Sequence, residues 1–436
     1  MRFYEREQAT RQLREIQEAS LQAAQMAVVT GRRRCGKTQL ILKATAGIPT
    51  LYFFVARKAE SLLCSEFAEQ VHRKLGLTHL SDVSDFRTLF KALMAASKEQ
   101  RFNVIIDEFQ EFSTINSNIF TDLQSLWDRN KDRSRICLFL VGNNNAQTTR
   151  IFDGQHTPLN GRVTSWIKLD EISTPTLKTI LKKANPDYKP QDLLAMYAFT
   201  GGVPKYVNEL LTAGAVTSED IVKFACQEKS PFLQEGKLLL IEDFGKEYTI
   251  YFSILTCIAN GISSRSLIEE FLQKEIGGYL TRLETDFHLI RKLTPLFSKS
   301  GSKNVRYVIA DNFLRFWFRF IYKNMHLIEQ AKYNELRRTV QKGFAEYCDL
   351  SMPIYFTKQL EEAGEYSCIG GWWDHHGDND IDLIALDEEN HRALIAGVAR
   401  MPKQVNIAHL AQKATVISED LANYETEYRA LTFENI

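Results

Sequence analysis

Gly31-Arg32-Arg33-Arg34-Cys35-Gly36-Lys37-Thr38 follows a short apolar run at 26–29 and opens onto Gln39-Leu40-Ile41-Leu42-Lys43-Ala44. The order is strand, glycine-bounded loop, helix, and every fixed position of the phosphate-loop pattern G-x-x-x-x-G-K-[ST] is filled. The residue types answer to one chemistry. Glycines let backbone approach a phosphate without a Cβ clash. Successive amide N–H groups and the positive end of the following helix then face the anion. Gly31, Arg32, Arg33, Arg34, Cys35, Gly36, Lys37, Thr38 and Gln39 form the expected nucleotide cradle. In it Lys37 neutralises the β- and γ-phosphates, and the Thr38 hydroxyl takes one ligand place on Mg²⁺. The plain alternative, a glycine turn joining a strand to a helix, is opposed by a second motif downstream.

That motif is Asn103-Val104-Ile105-Ile106-Asp107-Glu108, an apolar strand ending in two acids. In open α/β sheets the carboxyl ends of the strands face the ligand. Asp107 is expected to hold Mg²⁺ through water, with Thr38 as the other metal residue. Glu108 is expected to polarise the water that attacks the γ-phosphate. Many strands end in acids, so the pair gains its meaning from the complete phosphate loop before it. A third apolar run, 136–141, leads to Gly142-Asn143-Asn144-Asn145. Asn143 is either a γ-phosphate sensor that orients the water or part of an asparagine-rich turn. Pro158-Leu159-Asn160-Gly161-Arg162 precedes a strand at 165–169. Arg162 reads as an arginine finger, in cis or toward a neighbouring subunit, or as an ordinary surface arginine.

Residues 50–55 form a continuous apolar run, which fits a strand covered on both faces. Residues 59–75 and 84–98 have helical patterning. Before the phosphate loop stands Phe3-Tyr4-Glu5-Arg6-Glu7, then a helix with Leu13, Ile16 and Leu21. It is a solvated amphipathic helix, or a lid over the base with Phe3 and Tyr4 as apolar wall. Residues 174–230 are helical, interrupted by Gly201-Gly202-Val203-Pro204-Lys205-Tyr206, a sharp turn or a second nucleotide sensor.

The character changes after 247. Helices are expected from 249, from a cap at Ser263-Ser264, and over 279–292, with a hairpin at 294–310 whose tip is 298–303. Three helices and a basic hairpin make a winged helix-turn-helix. Arg282, Arg291, Lys292, Lys299, Lys303 and Arg306 then face DNA phosphates. Glu284 and Asp286 weigh against that, and such modules also pack against proteins. The aromatic stretch 313–322 is cut by Arg315 and Arg319 and reads as a buried amphipathic helix, opening a helical linker to about residue 350. Strands follow near 369–374, 379–385 and 391–396, then a helix at 406–424. Asp374, His375, His376, Asp378, Asp380 and Asp382 suggest a metal site or, more ordinarily, a solvated turn.

The bulk numbers set limits. With 436 residues the chain is long enough for two to four domains. Lys and Arg total 54, as do Asp and Glu, so any nucleic-acid site must be a local patch. Seven dispersed cysteines without a C-x-x-C pair suit a reducing, cytoplasmic setting. The charged N-terminus lacks a signal-peptide core, and no run reaches the about 18 apolar residues of a membrane helix.

Taken together, these motifs resemble prokaryotic AAA/STAND-like P-loop ATPases with a C-terminal winged helix and a PD-(D/E)xK nuclease-like domain. The markers are residues 3–7, the phosphate loop, Ile105-Ile106-Asp107-Glu108, residues 158–162, Gly201-Gly202-Val203-Pro204, Ala310-Asp311-Asn312-Phe313-Leu314-Arg315-Phe316-Trp317, Gly371-Trp372-Trp373-Asp374 and Asp380-Ile381-Asp382. The resemblance implies an α/β fold: a P-loop NTPase with parallel sheet and helical lid, then a winged helix and a C-terminal α/β nuclease-like domain. The implied boundaries are 1–172, 173–246, 247–325 and 326–436. It implies ATP with Mg²⁺, the adenine choice resting on the resemblance. The implied partners are double-stranded DNA, a protein partner or further copies of the chain, with no membrane. Asp382 matches the metal-binding aspartate of the nuclease fold. Gly397 and Ala399 stand where that family tends to carry glutamate and lysine, and Arg400 is one residue late. Neither small residue binds a metal, so the domain is expected to be cleavage-incompetent. The expected function is an ATP-binding and ATP-hydrolysing switch that controls DNA or protein interaction. The alternatives are a DNA-binding regulator with structural ATP and a DNA-cleaving effector.

Overall fold

The structure, a computed structural model, describes residues 4–78, 80, 83–143, 146–152, 157–244, 248–299, 301–375 and 379–436. Phe3, Asn144, Asn145, His376 and Asp378 lie outside them. The chain divides into two compact units, 1–171 and 172–436.

The first unit runs α1 (Glu7–Ala19), β1 (Gln25–Gly31), α2 (Lys37–Ala44), β2 (Thr50–Phe54), α3 (Glu60–Leu75), α4 (Phe86–Ala96), β3 (Phe102–Asp107), α5 (Phe112–Ile115), α6 (Asn118–Asn130), β4 (Ile136–Val141), α7 (Ala146–Phe152) and β5 (Ser165–Leu169). Its five strands form a parallel sheet in the order β2-β3-β4-β1-β5. Parallel sheets need cover on both faces, and the side chains supply it. Val28, Leu51, Phe53, Val104, Ile106, Leu138 and Leu140 share one core with residues of α3, α4 and α6. Ala27, Val29, Ile105, Phe139 and Val141 join α1 and α2 in the other. The central β3 and β4 are buried throughout. The outer β2 and β5 alternate, leaving Phe54 and Trp166 half exposed. Because β4 inserts between β1 and β3, the carboxyl ends of three consecutive sheet positions converge. Val141 pairs with both Val29 and Asp107.

The second unit begins with helices α8 (Thr174–Ala184), α9 (Pro190–Thr200), α10 (Pro204–Thr212), α11 (Ser218–Ala225) and α12 (Phe232–Phe244). Then come α13 (Tyr248–Ala259), α14 (Arg265–Leu272), α15 (Gly277–Thr285) and the antiparallel pair β6 (Ile290–Leu293) and β7 (Arg306–Ile309). The expected third helix over 279–292 is therefore shorter, and the first strand begins four residues before the expected hairpin. His288 explains the break. It sits in the left-handed region at φ 52°, and the N–H groups of Phe287 and Leu289 close back on Arg282 and Leu283. The chain continues through α16 (Asn312–Phe316), a π turn at Trp317–Ile321 that buries Trp317, α17 (Met325–Glu329), α18 (Tyr333–Asp349) and α19 (Met352–Ala363).

A last sheet combines β8 (Cys368–Trp373), β9 (Asp380–Asp387) and β10 (Arg392–Val398), all antiparallel, with β11 (Glu425–Leu431) parallel to β10. Helix α20 (Ile407–Ala414) makes the crossover that a parallel pair requires. The segment between β6 and β7 packs onto this sheet. Leu296 and Phe297 join its core, and the Leu296 N–H donates to the Gly371 carbonyl at 2.9 Å. Trp373 Nε1 donates to Asn304 Oδ1 at 2.9 Å, and the Arg306 guanidinium lies 4.5 Å above the Trp373 ring. No helix among the described residues is long and apolar enough to cross a membrane.

Candidate functional site

The phosphate loop turns out of β1 at Gly31, whose φ is +149°. A Cβ there would stand 2.4 Å from the Leu169 carbonyl oxygen on the neighbouring β5, so only glycine fits. Arg34 and Gly36 also adopt positive φ, and Gly36 caps α2. Below the loop, Arg6 is buried and donates to the Asp170 carbonyl at 2.7 Å and the Cys35 carbonyl at 3.4 Å. Arg32 pairs with Glu171 at 3.3 Å. Arg34 and Gln39 are exposed, and Arg33 is half-buried. The Cys35 side chain is buried, and its thiol is pushed up to about 11, mainly by that burial.

Lys37, only 8% exposed, donates its ammonium to the Gly31 carbonyl at 2.8 Å, to the Arg32 carbonyl at 3.1 Å and to Asn143 Oδ1 at 3.1 Å. Burial holds it below its ordinary 10.5, against the opposing pull of Glu108 and Asp107. The Thr38 hydroxyl donates to Asp107 Oδ2 at 2.6 Å, and Tyr52 on β2 donates to the same oxygen at 2.8 Å. The other oxygen, Oδ1, accepts the Glu108 N–H at 3.0 Å. Glu108 itself is at φ 55°. Its carboxylate accepts from Asn143 Nδ2 at 3.1 and 3.3 Å and from Gln110 Nε2.

Five expected residues thus meet in one hydrogen-bonded chain: Thr38, Asp107, Glu108, Asn143 and Lys37. Arg162 does not join them. Ser165 pairs with Ala27 and Leu169 with Gly31, so residues preceding β5 lie at the amino end of the sheet. Thr164 donates its N–H to Met26, five residues before Gly31. At ~3.3 Å per residue that is about 16 Å from the phosphate loop, beyond the reach of an arginine. The guanidinium instead grips Asp128, with contacts of 2.8 to 3.1 Å. The cis reading of Arg162 is corrected on this ground.

Sequence reasoning passed over Tyr52 and Gln110. The available signal was a hydroxyl inside an otherwise apolar strand, and an amide two residues after a catalytic-type acid. In the second unit, Asp374 accepts from Asn379, Asp380 pairs with Lys413 at 3.2 Å, and Asp382 accepts the Val398 N–H at 2.7 Å. Among the described residues no three His, Cys, Asp or Glu side chains are grouped to hold a metal. Gly397 is enclosed as well. A Cβ there would stand 2.7 Å from Val405 Cγ1. Of the six basic residues expected at DNA, Arg282 covers the rings of Tyr251 and Phe287, and Arg306 covers Trp373. Arg291, Lys292, Lys299 and Lys303 are exposed.

Residues 3–210 match the family model of an ATPase domain found predominantly in Archaea. Residues 317–400 match a family of archaeal and bacterial proteins of unknown function. An uncharacterized protein of Methanocaldococcus jannaschii is 27% identical over 384 residues, spanning 85% of this chain and 82% of its own. A Walker-type ATPase of Pyrococcus abyssi superposes with a TM-score of 0.54 at 19% identity, covering 73% of this chain and 96% of that one. The ORC2 protein of Aeropyrum pernix, in its ADPNP–ADP complexes, gives a TM-score of 0.47 at 16% identity over 76% of this chain and 95% of its own. The Pyrococcus likeness agrees with the parallel-sheet fold, and the match of residues 3–210 to an ATPase family model supports ATPase activity in this chain.

Proposed function

We propose that the protein is an ATP-driven molecular switch: the first unit binds and slowly hydrolyses ATP with Mg²⁺, and the nucleotide state governs what the second unit binds. One observation carries this reading. Lys37 and Glu108, the charge-neutralising and water-polarising groups of the expected chemistry, are tied to each other through the single amide of Asn143. A γ-phosphate entering between them breaks or remakes both bonds, so occupancy is sensed where hydrolysis happens.

The residues present fit Mg²⁺. A hydroxyl and a carboxylate, Thr38 and Asp107, are already hydrogen-bonded, the pairing that serves one inner-shell and one water-mediated place. The cation supplies charge neutralisation for the β- and γ-phosphate oxygens. The chain supplies the rest. Backbone N–H groups of the loop at 31–38 hold the phosphates, Lys37 leaves the Gly31 and Arg32 carbonyls for the anion, and Glu108 orients water. Arg162 acts, in this reading, on a neighbouring copy or only on Asp128. The helical segment 173–246 serves as lid, 247–325 as a winged helix and 326–436 as a nuclease-like domain that binds or caps without cutting. The seven cysteines are free thiols, which suits a cytoplasmic protein.

A second reading, direct contact with duplex DNA, is favoured by the exposed Arg291, Lys292, Lys299 and Lys303. It is opposed by the docking of the hairpin segment on Trp373. One experiment addresses both: ATP turnover by wild type and Lys37→Ala, with and without duplex DNA at two salt concentrations. Turnover that needs Lys37 supports the ATPase site, and unchanged turnover in the variant sinks it. Stimulation by DNA that fades with salt supports the second reading. No response to DNA directs the switch toward protein partners.

A further inference from the structure

The strand β2 reads Thr50-Leu51-Tyr52-Phe53-Phe54, and phenylalanine fills the two positions after Tyr52. Packing alone would accept a third, so the hydroxyl is the feature to explain. β2 and β3 run parallel, with Tyr52 level with Ile105 and Phe54 level with Asp107. Residues two apart share a sheet face, so Tyr52 and Asp107 point the same way, about 6.6 Å apart along the strands. A tyrosine spans that gap, and its hydroxyl donates to Asp107 Oδ2 at 2.8 Å. The same oxygen accepts the Thr38 hydroxyl at 2.6 Å, while Oδ1 is held by the Glu108 N–H at 3.0 Å. The carboxylate is thus fixed at both oxygens and from three elements.

We propose that Tyr52 is a positioning residue for a divalent cation: its hydroxyl locks the Asp107 carboxylate in the orientation that reaches Thr38, so that the cation's water meets a preorganised acceptor. The inference rests on the ATP and Mg²⁺ reading given above. Outer partners of metal-site carboxylates orient them and tune affinity. Without the hydroxyl, Oδ2 keeps only Thr38. That hydroxyl must also turn a lone pair to the cation, so the carboxylate loses its independent anchor. The loss falls on the cation rather than on the phosphates.

The test uses the full chain and Tyr52→Phe, with Mn²⁺ as the probe, followed by electron paramagnetic resonance in the presence of a non-hydrolysable ATP analogue. Nucleotide binding in EDTA is measured in parallel by calorimetry. The variant is expected to weaken Mn²⁺ binding about 10-fold and to bind the metal-free analogue as wild type does. Equal Mn²⁺ affinity in wild type and Tyr52→Phe overturns the proposal, as does an equal loss in EDTA, which would make Tyr52 a wall of the nucleotide pocket. If wild type holds no Mn²⁺ with the analogue, the ATP and Mg²⁺ reading itself fails. Those outcomes are distinct, because the first two require wild type to bind.

Discussion

Asn143 Nδ2 donates to both carboxylate oxygens of Glu108, at 3.1 and 3.3 Å, and the amide does so while its Oδ1 accepts from Lys37 at 3.1 Å. The chemistry of the neighbours dictates this orientation. Lysine only donates and an ionised glutamate only accepts, so the amide must turn its oxygen to one and its nitrogen to the other. Aspartate has the same shape but no donor, and alanine has neither group.

Asn143→Asp is therefore expected to harm turnover more than Asn143→Ala, although it is the smaller change in shape. The aspartate places like charges at hydrogen-bond distance and draws Lys37 toward itself. We expect kcat to fall about 1,000-fold in Asn143→Asp and about 100-fold in Asn143→Ala, the span given by losing one preorganised polar contact. ATP affinity should change little in the alanine variant. Steady-state turnover with equilibrium binding of ATP checks the order. Equal effects would mean that Asn143 matters only as a turn residue.

Gly31→Ala tests the loop's covalent geometry rather than its charges. The substitution meets two penalties: φ near +149°, and a carbonyl oxygen of β5 at 2.4 Å from the new Cβ. The blocking atom is backbone and cannot swing away, so β5 must move off β1. A loss of about 2–4 kcal/mol is expected from overpacking and strain together. Urea unfolding should show a lower midpoint with an unchanged slope, and ATP binding should be lost. Gly47→Ala, where a Cβ meets nothing within 4 Å, is the control for positive φ alone.

The strength of the phosphate loop as a sequence signal comes from its being local: eight consecutive residues carry it, and strand and helix flank it directly. Asp107 and Glu108 were legible for the same reason. Asn143 stood between two readings, because its meaning depends on β4 lying between β1 and β3. Strand order is a long-range property, and the amide's partners are 35 and 106 positions away. Tyr52 and Gln110 were hidden for that reason too. Arg162 was legible as a polar residue near a strand, but a parallel register decides which end of the sheet it occupies. The pairing of Ser165 with Ala27 puts it at the far end. The end of α15 was missed because apolar spacing continues through His288, and only its left-handed backbone stops the helix. Gly371-Trp372-Trp373 stood out in the sequence, yet its use as a seat for the β6–β7 segment depends on a contact across some seventy residues.

Cys35 gives a prediction in pH. Its thiol is buried and raised to about 11 from an ordinary 9.0, with burial the largest cause and Glu171 next. Between those two values the unfolded chain has released a proton that the folded chain retains. The contribution to stability is therefore complete below pH 9 and is lost as pH rises toward 11. Reactivity follows the thiolate. At pH 8 Cys35 should be alkylated at least about 100-fold more slowly than an ordinary thiol, from its ionised fraction alone. Half-exposed Cys368 should react first. Brief iodoacetamide labelling followed by peptide mass spectrometry checks this, and rapid labelling of Cys35 at pH 8 would falsify the burial of its side chain.

Gly397 decides whether the carboxylate that the nuclease-fold resemblance asks for can be placed in the second unit. It lies within β10, one residue beyond the pair Ala396 and Leu383, and so comes level with Asp382 on β9. A glutamate there would place a carboxylate beside Asp382, as the resemblance to the nuclease fold asks. The space is already taken: a Cβ would stand 2.7 Å from Val405 Cγ1 and 3.8 Å from Leu410 Cδ2, side chains that close this face of the sheet. Gly397→Glu combined with Ala399→Lys should consequently lower the melting temperature without producing nicks in supercoiled DNA, with either Mg²⁺ or Mn²⁺. The expected cost is about 1–3 kcal/mol for overpacking, plus the penalty for a carboxylate set among Val405 and Leu410. Trimming Val405 to alanine in the same background removes the nearest obstacle and should return part of the stability. If the double variant instead folds as well as wild type and nicks DNA, the glutamate and lysine side chains are all that β9–β10 lacks for cleavage. If it folds poorly and regains stability only with Val405→Ala, Val405 and Leu410 have closed over the carboxylate position, and β9–β10 serves packing rather than cutting.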